Sequence, residues 1–416
     1  MGLFLIIALL IIVSAFYSYI NARFIKLPGT IGIITIAIIV SVITIVIDKL
    51  DPSVARYLTL LAKNINFSGT VLNIMLGFLL FAGSFNSNTK RLKRELRPVF
   101  VLSTLSVILS TAAFGVLFYY GTMLFNIHMS FVYCLLFGAL ISPTDPVAVG
   151  AIIKNSKLPS NIATIISGES LFNDGVGLVL FITILEAINS GVDNVSFTQT
   201  ALLFLREVLG GVVLGVILGF IAFRLMKSIN DFQTIVLVSL SVVMSASVIA
   251  SYLNLSIPLS VVSAGLFMGN RTINSDEKER SHEALEKFWQ LIDEMLNTIL
   301  FVMIGLQMVN LPYITNYWLT GGIAIVLILI ARWLSIILPL TFLRRSLDVN
   351  YKSINILTWA GVRGGISIAL ALSLPFSPYR HVILCGSYFI VIFSIVVQGL
   401  TLNKLIDSSL KEKGTN

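Results

Sequence analysis

Charge is scarce in this chain. Of its 416 residues only 12% are Asp, Glu, Lys or Arg, against 56% that are hydrophobic. Soluble domains carry roughly 25% charged residues, so the solvent of this chain is lipid. Cysteine is nearly missing too: Cys134 and Cys385 both lie inside apolar runs, which excludes a disulfide framework and a cysteine-rich metal site. The three histidines, His128, His282 and His381, are isolated from one another and take no role. Strand-like alternation of apolar and polar residues is also lacking, since stretches such as Ile31 to Ile47 are apolar on all sides. A transmembrane barrel is thereby excluded, leaving helices as the spanning element.

What the chain does have is a series of apolar runs, at 3–20, 27–47, 66–86, 98–125, 129–153, 160–189, 200–223, 232–253, 257–270, 288–310, 317–341, 350–375 and 380–406. A run of about 20 residues crosses a ~30 Å hydrocarbon core as a helix. The expected fold is therefore an all-α polytopic membrane protein of about thirteen spans. The run at 257–270 is the weakest, being short and opening on Pro258, so twelve is the alternative count. Met1 to Ile20 lacks a basic leader and a small-residue cleavage site, and is expected to stay as the first span. Ile6 stands where a myristoylation motif needs Ser or Thr.

The net charge of +8 is a topology signal before it is a sign of an anionic partner. Alternate loops collect Arg23, Lys26, the cluster from Lys90 to Arg97, Lys154, Lys157, Arg224, Lys227, Arg271 and most of the remaining basic residues. The opposite loops hold only Lys49, Arg56, Lys63, Arg206 and Arg380. This asymmetry supports thirteen spans, with the amino terminus outside and the carboxyl terminus cytoplasmic in a cell membrane, and it leaves no call for nucleic acid. Phe288, Trp289, Tyr313, Tyr317 and Trp318 fall where interfacial anchors are expected. Asp276 to Lys287, with Asp276/Arg280 and Glu283/Lys287 at helical spacing, reads as a solvated connecting helix. Glu186, Asp293 and Glu294 lie near span ends, as a funnel or as interfacial residues.

Two spans are broken. The fifth is interrupted by Ser142-Pro143-Thr144-Asp145-Pro146 and the twelfth by Gly361-Val362-Arg363-Gly364-Gly365. Six spans, an extra one near 200–223 and six more put the halves in opposite orientation, with a break in the fifth span of each half, an inverted-repeat topology. Each proline removes an N–H and frees a carbonyl one turn earlier, which is tolerated at this depth only around a polar cavity. Half-helix ends carry partial charges of opposite sign; Asp145 can offset the positive ends and Arg363 the negative ones. Simple kinks are the plainer reading, against which stands a charge in each break.

Span six adds Gly168-Glu169-Ser170-Leu171-Phe172-Asn173-Asp174-Gly175. An ionisable side chain at the bilayer centre costs at least ~2.5–3.5 kcal/mol, so two acids here imply a task. Helical spacing stacks Glu169 with Asn173 and Ser170 with Asp174, so the latter pair can share one small ion. Carboxylate, hydroxyl and freed carbonyl are hard oxygen donors suited to Na⁺ or Li⁺. A buried carboxyl favours its protonated form and a bound cation its charged form, so proton and cation compete for Asp174. Glu169 needs a cation if ionised, and Arg332 in span eleven is favoured for it, leaving Arg363 to the helix break.

Taken together, Thr144-Asp145-Pro146, Gly168-Glu169-Ser170 with Asn173-Asp174, Ala331-Arg332 and Gly361-Val362-Arg363-Gly364 resemble the motifs of the NhaP and NHE type monovalent cation:proton antiporters, in order and spacing along nearly the whole chain. The resemblance implies a homodimer, with a dimerisation domain and a mobile core domain that carries crossed, broken helices and moves as an elevator. On that reading 1–97 supplies dimerisation helices 1–3, 98–190 core helices 4–6, 191–310 a linker helix and dimerisation helices 7–10, and 311–416 core helices 11–13 with a short cytoplasmic tail. It also implies that Asp174 binds Na⁺ or a proton, that Ser170 and the Thr144 backbone help ligate, and that Asp145 orders the crossing. Asn173 and the Glu169/Arg332 pair would be structural, and the Asn-Asp sequence resembles the electroneutral branch. Several relatives carry an acid in span three where this chain has Ala82.

The expected activity is thus exchange of Na⁺ or Li⁺ for H⁺, without a cofactor or catalytic residues. A K⁺/H⁺ exchanger is the near rival. A cation channel lacks a filter repeat, and an intramembrane hydrolase using Asp145 and Asp174 as acid and base has the basic partners and helix breaks against it.

Overall fold

The structure, a computed structural model, describes residues 3–50, 65–124, 128–153, 156–190, 197–269, 276–311, 317–342 and 352–411. Among these no strand occurs. Without water to hydrogen-bond an exposed backbone, apolar runs of this length close their N–H and C=O groups internally, and each run identified above coincides with a helix or a broken pair of helices. In chain order they are α1 (Leu3–Ile20), α2 (Gly29–Leu50), α3 (Phe67–Phe85), α4 (Leu96–Leu124), α5 (Phe131–Ile141), α6 (Pro146–Ile153), α7 (Ser160–Ser190) and α8 (Phe197–Lys227). Then follow α9 (Phe232–Tyr252), α10 (Ile257–Gly269), α11 (Asp276–Met308), α12 (Trp318–Phe342), α13 (Lys352–Trp359), α14 (Gly365–Ser373) and α15 (Arg380–Ser409). Ten helices among the described residues are long and apolar enough to cross a membrane, and α5 and α10 are shorter apolar helices. This is an integral membrane protein of the polytopic all-α class.

Packing sorts the helices by neighbour. α4 lies against α5, α7 and α12, while α15 packs on α12 and α14. Elsewhere α10 packs between α3, α8 and α9, and α11 lies along α2 and α3. The α8/α10 and α10/α3 contacts are both close: a Cβ at Gly215 would sit 2.0 Å from the Ser260 carbonyl oxygen and one at Gly269 2.0 Å from that of Phe85. Small residues let helix backbones meet in this way where lipid offers no hydrophobic drive to association. Side chains on the periphery, such as Leu209, Val213, Leu237 and Val248, are exposed hydrophobics, as a surface facing acyl chains requires.

Two sequence expectations change. Asp276 to Lys287 is not a separate connecting helix but the first part of α11, a single helix of 33 residues. Trp289 consequently lies well inside a packed element. It is fully buried against Phe78 and Phe81 and its indole Nε1 donates to Ser239 Oγ at 3.2 Å. It is a core residue, not an interfacial anchor. Trp318, by contrast, is exposed. Tyr313, Arg56, Lys63, Lys154, Arg271, Arg344 and Arg345 lie outside the described residues.

Candidate functional site

The two breaks meet. α5 ends at Ile141 and α6 begins at Pro146; α13 ends at Trp359 and α14 begins at Gly365. Between them the Asp145 N–H donates to the Val362 carbonyl at 2.7 Å, one unwound segment satisfying the other in place of a helical partner. Arg363, 2% exposed, reaches across to the end of α5, where Nη1 donates to the carbonyl oxygens of Ser142 and of Pro143, the latter at 3.2 Å. The guanidinium thus sits on the partly negative end of α5. Asp145 sits at the complementary place. Its Oδ1 accepts from the Ala148 N–H at 3.3 Å in the first turn of α6, and Oδ2 lies so near Gly364, the residue before α14, that a Cβ there would be 2.1 Å away. One carboxylate is therefore held between the partly positive starts of two half-helices. The α13 end is tied down by α15, whose Gln398 Nε2 donates to the Trp359 carbonyl at 3.2 Å.

α7 runs unbroken past the crossing and brings four polar side chains to it. Glu169 turns to α12, where Arg332 meets it with Nη1 to Oε1 at 2.5 Å and Nη2 to Oε2 at 2.9 Å, both residues buried. Ser170 Oγ lies 2.8 Å from Thr144 Oγ1. Asn173 clamps the same threonine from both sides: Nδ2 donates to Oγ1 at 2.7 Å and Oδ1 accepts the Thr144 N–H at 3.3 Å. Asp174 differs from all of these. It is 3% exposed, and its Oδ2 has no hydrogen-bond partner among the described residues.

Asp174 instead borders a cavity of about 30 Å³, lined also by Pro143, Thr144, Asp145, Gly364 and Ser367 from the breaks and by Leu79, Leu80, Asn297 and Leu300 from α3 and α11. Such a volume admits one or two water-sized species and no organic substrate. Thr144, Asp145 and Asp174 line this cavity together, whereas Ser170 and Asn173 are absent from the lining and reach it through their bonds to Thr144, and Arg363 lies behind, on the carbonyls of Ser142 and Pro143. Glu169 and Arg332 stand apart from the cavity lining. Among the described residues no group of three His, Cys, Asp or Glu could hold a metal ion. Two features escaped the sequence reading. Ser142 Oγ lies 3.1 Å from Ser110 Oγ of α4 and 3.3 Å from Thr111 Oγ1, so hydroxyls continue behind the break. Asn297 reaches the cavity from α11, and its only sequence signal is an amide one helical turn after Asp293. Glu294 is exposed, whereas Asp293 is half-buried and accepts from Asn297.

The chain resembles known proteins over nearly its whole length. The family model described as sodium/hydrogen exchanger, transmembrane, matches residues 10–407. The Na⁺/H⁺ antiporter NhaP of Pseudomonas aeruginosa is 39% identical over 409 residues, 96% of each chain. The Na⁺/H⁺ antiporter NhaH of Halobacillus dabanensis is 27% identical over 393 residues, 92% of this chain and 93% of that one. Among solved structures, the sodium proton antiporter MjNhaP1 of Methanocaldococcus jannaschii at pH 8 superposes with a TM-score of 0.76 at 19% identity, covering 99% of this chain and 100% of that one. With a matching fold, and a family model that spans almost every helix described above, this chain belongs to the sodium/hydrogen exchanger transmembrane family.

Proposed function

We propose that the protein exchanges Na⁺, or Li⁺, for H⁺, one for one, with ion and proton competing for Asp174. The observation that carries this reading is the Oδ2 of Asp174, buried and without a hydrogen-bond partner among the described residues, beside a cavity of ion size. An unpaired carboxylate in such a place is costly by several kcal/mol unless a proton or a cation neutralises it. The two neutralised forms are the two loads of an exchanger. Thr144 borders the same cavity and its hydroxyl is bonded to that of Ser170, and hard oxygen donors of this kind suit an alkali cation.

One-to-one stoichiometry follows if a single carboxylate changes its load. Asp145 is engaged at the half-helix starts, Glu169 is neutralised by Arg332, and Asn173 is neutral, which leaves Asp174. Each half-cycle then carries one positive charge. The proposed movement is of an elevator kind, in which the core helices at 98–190 and 311–416 carry the cavity past a wall formed by α3 and α11. In that scheme 1–97 and 191–310 form the stationary, dimerising part of a homodimer in the cell membrane, with thirteen spans in inverted repeats and the amino terminus outside.

The family is one of transporters rather than enzymes, and the relatives' printed names support Na⁺ as the ion. The test is reconstitution into proteoliposomes under an imposed pH gradient. Na⁺ should collapse the gradient, and Asp174→Ala should abolish that collapse; exchange that survives the substitution would falsify the reading. The same vesicles with K⁺ separate the K⁺/H⁺ exchanger, and voltage-driven current in the absence of a pH gradient would point to a channel.

A further inference from the structure

The cavity beside Asp174 has walls of two kinds. One is polar and comes from the breaks and α7. The other is nearly all leucine: α3 contributes Leu79 and Leu80, α11 contributes Leu300, and a single polar side chain, Asn297, interrupts them. Asn297 is 2% exposed, so its amide is as withdrawn from water as the Asp174 carboxylate with which it lines the cavity.

Its orientation is fixed by one residue. Nδ2 donates to the backbone oxygen of Asp293 at 2.7 Å and to its Oδ1 at 2.9 Å. A primary amide has two N–H donors on one corner and its acceptor oxygen on the other, so with both donors held by Asp293 the carbonyl oxygen is turned away from it. Beside two carboxylates, Asp145 and Asp174, the electrostatically natural arrangement is the reverse, with N–H groups aimed at the acids. Asp293 withholds those donors. An oxygen presented among carboxylates is unfavourable until a cation stands between them, and then it becomes a ligand.

From this the geometry points to Asn297, held by Asp293, as the cation ligand contributed by the wall opposite Asp174. It rests on the exchange reading given above. Asn297 adds a neutral oxygen without adding charge, so it strengthens ion binding and leaves the one-for-one exchange unchanged. Asp293 is a positioning residue: it acts on the amide and is absent from the cavity lining.

The experiment measures initial rates of gradient collapse in proteoliposomes as a function of Na⁺ concentration. Asn297→Ala should raise the apparent KM for Na⁺ roughly tenfold, with maximal rate within about twofold of the parent, the pattern of a lost binding contact. Asn297→Ser keeps an oxygen and should recover part of the affinity. Asp293→Asn keeps an acceptor for the amide and should stay near the parent KM, whereas Asp293→Ala should raise it and add nothing further in combination with Asn297→Ala. In detergent, the Na⁺-dependent rise in melting temperature should move to higher Na⁺ for Asn297→Ala. A parental KM in Asn297→Ala, or a fall in maximal rate alone in both Asn297 variants, overturns the assignment. A parent protein in which Na⁺ collapses no gradient removes the exchange reading itself, so the two failures are told apart.

Discussion

Glu169 and Asp174 are two buried acids on one helix with opposite fates. They are little more than a turn apart, and the ~100° step of an α-helix points them about 140° away from each other. Glu169 thereby faces α12 and finds both terminal nitrogens of Arg332. Asp174 faces the crossing of the breaks, where Arg363 is already occupied by the carbonyls of Ser142 and Pro143. Burial is the same for both, so the difference lies in the partner. A permanently paired acid is scaffold. On the exchange reading proposed above, an acid left without a partner is the one that takes the small cation the cavity admits.

The comparison breaks most violently on the paired side. Arg332→Ala leaves Glu169 charged and alone in a low-dielectric interior, a change that costs about 3–5 kcal/mol. The expected outcome is a strongly lowered melting temperature and little folded protein in detergent. Adding Glu169→Gln should restore much of the loss, because the stranded charge goes with it. Should Arg332→Ala melt like the parent, the pair is not what secures α7 to α12.

The unpaired side should respond the other way. Asp174→Asn removes no hydrogen bond to Oδ2 seen among the described residues, and spares the cavity a charge. Its melting temperature is expected to equal or exceed the parent's, while exchange falls by at least about a hundredfold, roughly 2.7 kcal/mol in the terms of the transition-state relation. Loss of exchange together with loss of fold would erase the distinction between the two acids.

A smaller effect is expected where the third acid is held. At Gly364 the backbone is extended, with φ −119° and ψ −167°, so alanine is conformationally allowed there. Its Cβ would nonetheless fall 2.1 Å from Asp145 Oδ2 and 2.6 Å from Cγ. Gly364→Ala should push the Asp145 carboxylate off the half-helix starts and lower the initial exchange rate roughly tenfold, a change of about 1.4 kcal/mol. An unchanged rate would show that the position of Asp145 is immaterial to transport.

Much of this was legible in the sequence because lipid removes the alternatives. Pro143, Pro146 and the glycines around Arg363 mark backbone that cannot stay helical, and the helices stop and restart at those residues. Arg332 could be matched to Glu169 by the electrostatic need for a partner alone. The losses have equally physical causes. Trp289 was misplaced because distance from the end of an apolar run stands in for depth, and α11 begins twelve residues before that run does, at Asp276. The amide of Asn297 was too weak a signal because what matters about it, its direction as held by Asp293, is a property of contacts and not of composition.

A fourth carboxylate sharpens the comparison from outside the membrane. Asp231, exposed ahead of α9, has all the partners Asp174 lacks: Oδ2 accepts the Thr234 hydroxyl at 2.5 Å and the Thr234 N–H at 2.8 Å, capping the helix. The Thr234 hydroxyl first and its N–H second hold this carboxyl below the usual range. A group whose value is lower in the folded state stabilises the fold above its unfolded value, near 3.9, and loses that contribution as pH falls through the lower, folded value. Asp231→Ala should therefore lower the melting temperature slightly at neutral pH, by an amount that vanishes in strong acid, and leave Na⁺-dependent gradient collapse untouched. Partners make an acid structural and their absence makes it exchangeable, so a transport defect in Asp231→Ala would count against that rule at its most exposed point.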